Sequence, residues 1–240
     1  MAGGKTIIVT GASKGIGAAI VHGFLDRGYD VVATSRSISK AGFAAQPNLA
    51  LVDGDIGHAA TAEEVVKAAI KTFGTIDHVV NNAGIFATKP FTDYTEDDFH
   101  AFVSTNLKGF LFVTQLAVKR MLQQGTGGSV TSITASLADN PIAGIHASVP
   151  MITKGGLNTI TRSLALEYAK DNVRFNAVAP GQVDTPLHKD TPKELMRTLS
   201  PMGAIADAND IAEAVVYLTE ARHVTGEVLH VDGGAHAGRW

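Results

Sequence analysis

The first residues whose types and spacing can do chemistry are Thr10-Gly11-Ala12-Ser13-Lys14-Gly15-Ile16-Gly17. An apolar run leads into them and a helical pattern leaves them. Glycines here let the backbone turn tightly and approach a pyrophosphate, which sits on the unpaired amides of a helix N-terminus. A second station, Thr34-Ser35-Arg36-Ser37, follows the next apolar run. An acid at that point would bind ribose hydroxyls and repel a 2′-phosphate. Ser35 stands there instead, and Arg36 offers a planar fork that pairs with phosphate. Lys14 adds a positive charge in the glycine loop. With the acid absent, these residues point to NADP; the competing reading makes Arg36 and Lys14 solvated surface cations.

Short apolar runs rich in β-branched residues must position these stations. They are Thr6–Thr10, 31–34, 49–52, 76–81, 129–134, 173–178 and 227–231. Runs apolar on both faces suit a parallel sheet covered on both sides. Helix candidates lie between them near 15–27, 61–73, 95–123, 150–170 and 207–219. The alternation predicts an α/β chain with a doubly wound sheet. No repeat or linker divides it, so residues 1–240 read as one dinucleotide-binding domain, an ordinary length for this class. The stretch 182–206, with Pro186, Pro192 and Pro201, reads as a substrate loop carrying a short helix. Ligands in such sheets bind beyond the carboxyl ends of the strands.

Composition narrows the function. Net charge is −3 with signs interspersed, so no basic stripe suggests nucleic acid or an anionic membrane. There are no cysteines, which excludes disulfides, thiolate chemistry and Cys-based metal sites. The nine histidines are scattered without metal-ligand spacing, so no metal is expected. Residues 1–5 lead straight into the first strand with no leader pattern. The apolar stretch 109–122 is broken by Gln115, Lys119 and Arg120 and reads as too short and too polar to span a bilayer. A cytoplasmic protein is expected.

Further segments follow the glycine loop in a fixed order. They are Asp53-Gly54-Asp55-Ile56, Asn81-Asn82-Ala83-Gly84, Thr105-Asn106-Leu107-Lys108-Gly109, Pro180-Gly181-Gln182-Val183-Asp184-Thr185, Val224-Thr225-Gly226-Glu227 and Val231-Asp232-Gly233-Gly234. With them the chain resembles the short-chain dehydrogenase/reductase family along almost its whole length. The resemblance implies a Rossmann-type, seven-stranded parallel sheet flanked by helices. It implies an NADP site formed by Gly11, Ser13, Lys14, Gly15, Ile16, Gly17, Ser35, Arg36, Asp55, Ile56, Asn82, Ala83, Gly84, Lys154, Pro180, Gly181, Val183 and Thr185. In that reading Asp55 meets the adenine edge, Thr185 holds the nicotinamide carboxamide and Asn106 is the catalytic Asn. A homotetramer acting on a small-molecule substrate is also implied.

One departure bears on the chemistry. The family carries a Tyr four residues before its catalytic Lys, and here Pro150 precedes Lys154 at that spacing. No other tyrosine repairs the pair, since Ala33, Asp98, Asn172 and Ala221 follow Tyr29, Tyr94, Tyr168 and Tyr217 at the same distance. Proline suits the first turn of a helix, and Ser148 before it suits a cap. The family's catalytic Ser aligns with Ala135, and a one-residue bulge would bring Ser136 there instead. A substitute proton donor is sought in the longer loop before Lys154. His146 is the first candidate because imidazole titrates near neutrality. Ser148 is a weaker one, and a solvent-facing loop histidine is the competing reading. Losing a general acid costs about 10²–10⁴ in rate and leaves cofactor binding intact. The expected function is NADP-dependent reduction of a small carbonyl or quinone, or oxidation of the alcohol, from an atypical site with Asn106, Lys154, Ser136 and His146. The alternative is a non-catalytic NADP-binding or scaffold protein.

Overall fold

A computed structural model describes residues 4–238. Residues 1–3 of the expected strand approach lie outside that range. Seven strands form one parallel sheet: β1 (Thr6–Thr10), β2 (Asp30–Ser35), β3 (Leu49–Asp53), β4 (His78–Asn81), β5 (Gly128–Ile133), β6 (Val173–Pro180) and β7 (Val228–Val231). Their spatial order is β3-β2-β1-β4-β5-β6-β7. The chain therefore winds outward from β1 in one direction and from β4 in the other. The crevice where the winding reverses opens between β1 and β4, at their carboxyl ends.

Strand pleating explains the two-sided burial. Ile7 and Val9 of β1 face one layer, and Ile8 faces the other. The first layer packs α1 (Gly15–Leu25) and α7 (Ala208–Glu220) on the sheet through Ile20, Phe24, Ile211 and Val215. The second layer packs α2 (Ala59–Phe73), α4 (Gly109–Gln124) and α5 (Ser148–Glu167) through Val65, Val113, Met121 and Leu157. Two shorter helices, α3 (Glu96–Phe102) and α6 (Lys193–Thr198), stand near the strand ends.

Two expectations require correction. The single helix near 95–123 is interrupted: α3 runs into a π-helical segment, Val103–Lys108, and then α4. Such a bulge inserts a residue into the helical ladder and is characteristic of functional sites. The continuous helical stretch Glu96–Gln124 is 29 residues long, and its most apolar 18-residue window has a mean hydropathy of 1.2 with 44% of it buried, a length and composition that the core helix of a globular domain shares with a membrane span. Its apolar face is the one that covers the sheet, with Phe110, Val113, Ala117 and Met121 buried. Finally, Ser148 does not cap α5. Ala147 occupies the cap, without a side-chain bond, and Ser148 is the first helical residue. Pro150 does stand in the first turn, where its missing N–H has no intrahelical partner to lose.

Candidate active site

The glycine loop is built by close approach. Thr10 Oγ1 accepts the backbone N–H groups of Asn82 (3.1 Å) and Ala83 (3.0 Å), tying the ends of β1 and β4 together. The Asn82 amide donates to the carbonyls of Thr10 and Gly11, each at 3.0 Å. A Cβ on Gly11 would fall 2.6 Å from Ala83 Cα, and one on Gly17 only 2.2 Å from Gly11 O. Gly11 also has φ +64°, a conformation that side chains rarely adopt. At the start of α1, Lys14 makes no side-chain cap bond and no acid occupies the first turn. The first amides of α1 are thus open toward the crevice, the electrostatic setting a phosphate needs.

One continuous cavity of about 770 Å³ runs from this loop across the strand ends. Of the expected cofactor residues, every one lines it: Gly11, Ser13, Lys14, Gly15, Ile16, Gly17, Ser35, Arg36, Asp55, Ile56, Asn82, Ala83, Gly84, Lys154, Pro180, Gly181, Val183 and Thr185. Asp55 is braced by the N–H of Gly57 at 2.9 Å, which aims its carboxylate along the loop. A Cβ on Gly15 would lie 3.3 Å from Thr185, so the segment after β6 closes over the glycine loop. A long cavity with phosphate-binding amides at one end and a buried amine further along fits a dinucleotide.

Lys154 extends from α5 under the sheet ends. Its Nζ donates to Ile133 O at 2.7 Å, and no carboxylate contacts it. Burial pushes its pKa down to about 8. A Cβ on Gly84 would stand 3.1 Å from that Nζ, which explains why the β4 loop ends in glycine.

The other expected catalytic residues are placed less directly. Asn106 is buried in the π segment and lies behind the cavity wall, which its neighbour Thr105 forms. Its Oδ1 accepts the N–H of Ile85 (2.9 Å), and its amide donates to Ile85 O (3.2 Å) and Thr153 Oγ1 (2.9 Å). Thr153 in turn donates to Pro150 O at 2.7 Å. Asn106 therefore positions the β4 loop and the first turn of α5. Pro150 is buried, and it is not part of the cavity wall. Ser136 does line the cavity, yet its hydroxyl is committed to Asp232 Oδ2 at 2.5 Å. Ala135, with φ −162° and ψ 140°, continues the strand in extended form, so no bulge moves Ser136 into its place; both residues line the cavity. Burial disfavours the Asp232 charge, but the bonds from Ser136 and His236 outweigh it and hold the carboxyl below its usual range.

His146 is not brought to the site. Its side chain is exposed and outside the cavity, while its carbonyl accepts the N–H of Lys89 (2.9 Å) and the hydroxyl of Tyr94 (3.3 Å). The loop is anchored through its backbone there, which turns the imidazole outward. The histidine that does line the cavity is His188, in the 3-10 turn Pro186–His188. Its ring is half-buried and burial lowers its pKa. Its place within the expected substrate loop was the one available signal, and nothing in its local spacing marked it.

A doubly wound parallel sheet whose switch-point crevice carries this glycine loop and a buried lysine defines a dinucleotide-dependent enzyme fold. Comparison with known proteins makes the class specific. A family model described as enoyl-(acyl carrier protein) reductase matches residues 11–236. The L-rhamnose 1-dehydrogenase (NAD(P)(+)) of Sphingomonas sp. (strain SKA58) is 33% identical, across 97% of this chain and 96% of that protein. The NADP-dependent (R)-specific alcohol dehydrogenase of Lentilactobacillus kefiri is 37% identical, across 96% of each. The crystal structure of a 3-ketoacyl-(acyl-carrier-protein) reductase from Brucella melitensis, complexed with NADH, superposes with a TM-score of 0.91 at 27% identity, covering 98% of this chain and 100% of that one. The chain belongs to the short-chain dehydrogenase/reductases, a family of nicotinamide-dependent oxidoreductases.

Proposed function

We propose that this protein is an NADP(H)-dependent oxidoreductase that reduces a small carbonyl or quinone, or oxidises the corresponding alcohol, through a site without the usual phenol. The observation that carries the reading is the single cavity that joins Ser35 and Arg36 at one end to Lys154 at the other. Arg36 would pair with the 2′-phosphate, and Lys14 would add to the field that attracts it. The first amides of α1 would hold the pyrophosphate, Asp55 the adenine edge, and Thr185 the nicotinamide carboxamide. Lys154, fixed by Ile133, would hold the nicotinamide ribose. The bound dinucleotide supplies the hydride; everything else must come from the chain.

The proton is where this chain departs from its family. With Pro150 in place of the tyrosine, no phenol stands between Lys154 and the substrate oxygen. Ser136 is turned toward Asp232 and His146 faces solvent, so neither is placed to donate. Of the side chains lining the cavity at this end, Lys154 and His188 are the ionisable ones, and burial lowers the pKa of both, that of Lys154 to about 8. A slow reductase follows, and quinones are favoured acceptors because their reduction demands less of a precisely placed acid. The buried proline also keeps open a second reading, a protein that binds NADP(H) and passes no hydride. NADPH oxidation measured against a panel of carbonyls and quinones separates the two: turnover with any acceptor supports the enzyme, and NADPH binding without turnover supports the binding protein. We propose in addition that the protein works as a homotetramer in the cytoplasm.

A further inference from the structure

We infer that the substrate of this site is an uncharged, predominantly apolar carbonyl compound, such as an aryl or long-chain alkyl ketone or a quinone, rather than a sugar or an oxo acid. The inference rests on the proposed cofactor-binding reading and names the substrate class for that same cavity.

The two ends of the cavity differ in chemistry. The end beneath α1 carries the charged side chains Lys14, Arg36 and Asp55. Beyond Lys154 the wall is formed by Phe86, Leu137, Ile142, Ile145, Leu187 and Leu195. Among the described residues, no aspartate, glutamate, arginine or second lysine lines that far end, and His188 is the one ionisable group there. Burial lowers the His188 pKa and so disfavours a charge on the ring. A carboxylate entering this end would lose its hydration and meet no cation beyond Lys154. A polyol would need a hydrogen-bond partner for each hydroxyl it buries, and the six apolar side chains offer none, which leaves the few polar ones, Thr88, Gln182, His188 and Thr191, to serve them all.

The wall also holds unused apolar surface. Leu187 is 57% exposed and Leu195 is 51% exposed, although both line the cavity. They belong to the segment after β6 and to α6, which together close the far end. An apolar ligand would cover that surface, and its binding would be driven by removing both leucines from water.

The test uses the full chain saturated with NADP⁺ and follows ligand binding by calorimetry, so that it does not depend on turnover. The probes are acetophenone, 2-decanone and menadione against L-rhamnose, D-glucose and pyruvate. The apolar probes should bind at least tenfold more tightly than the polar ones. Leu187→Gln and Leu195→Gln, both at exposed positions that fold does not depend on, should each weaken the apolar probes about tenfold and leave NADPH affinity unchanged. Tighter binding of the sugars or of pyruvate, absence of apolar binding, or indifference to both glutamine substitutions overturns the inference. Failure of NADPH itself to bind is a different result and overturns the cofactor reading on which it rests.

Discussion

Lys154 is held in a position that costs stability and is useful only with a ligand. Its pKa of about 8, lowered by burial from 10.5, means that the folded protein resists its charge. The sign follows from linkage. Between pH 8 and 10.5 the unfolded chain binds the proton more firmly than the folded one, so this penalty is full below pH 8 and is relieved as pH rises. Lys154→Met should therefore stabilise the ligand-free protein at pH 7, on the order of 2–3 kcal/mol. Thermal melts should show that advantage shrinking by pH 10, and fluorescence titration should show weaker NADPH binding. An unchanged melting temperature at pH 7 would contradict the assigned burial cost. In the proposed reading, cofactor choice rests on two other side chains, Ser35 and Arg36. Replacing Ser35 with Asp and Arg36 with Ala should reverse a preference for NADPH over NADH, and titrations that find NADH preferred in the unaltered protein would remove the basis for NADP.

The π segment Val103–Lys108 and the first turn of α5 are coupled through Asn106, Thr153 and the Pro150 carbonyl. Asn106→Ala would leave the N–H of Ile85 without its acceptor and Thr153 Oγ1 without its donor. A loss of about 2–4 kcal/mol is expected from those bonds, read as a lower denaturation midpoint with an unchanged slope. Retention of full stability would mean that the segment is held by packing alone. This is also where the sequence was least legible. The strands and the glycine loop followed from apolar runs and turn chemistry, because a sheet buried on both faces leaves a strong pattern. The helix across 95–123 carried the same periodicity on both sides of the bulge, so the interruption had no local signature. The placement of Asn106 behind the wall, and of His188 rather than His146 within the cavity, depends on how loops fold back over the strand ends. That is set by long-range contacts such as the His146 carbonyl on Lys89, which local spacing does not encode.

At the level of the assembled protein, two features predict behaviour in solution. His78 is buried in β4, its Nδ1 2.9 Å from Ser129 Oγ, and burial, followed by Lys5 and Arg174, lowers its pKa from 6.5 to about 3. The unfolded chain therefore takes up this proton first, and stability should fall as pH drops from about 6.5 toward 3. His78→Gln, which cannot titrate, should flatten that part of the acid-unfolding curve; an identical curve would assign acid sensitivity to other groups. The outer faces of α4 and α5 expose Leu111, Leu122, Ile152 and Leu166, the last at 83%. Burying such faces against copies of the chain suits a closed symmetric assembly. Light scattering at micromolar concentration should give four times the chain mass, and a monomeric mass would refute the tetramer.

The central claim is that the chain binds NADPH in an otherwise intact site whose rate is limited by the missing phenol. Single-turnover oxidation of bound NADPH by an apolar ketone or quinone tests it most directly, in the unaltered protein, in Pro150→Tyr, and in Pro150→Tyr combined with Ala135→Ser. A tyrosine at 150 stands one helical turn before Lys154 on the same face, where the ammonium lowers the phenol pKa. The account predicts a hydride-transfer rate raised about tenfold or more by Pro150→Tyr, raised further by the double change, with NADPH affinity unaltered. Equal rates in all three proteins, with NADPH bound in each, would contradict it.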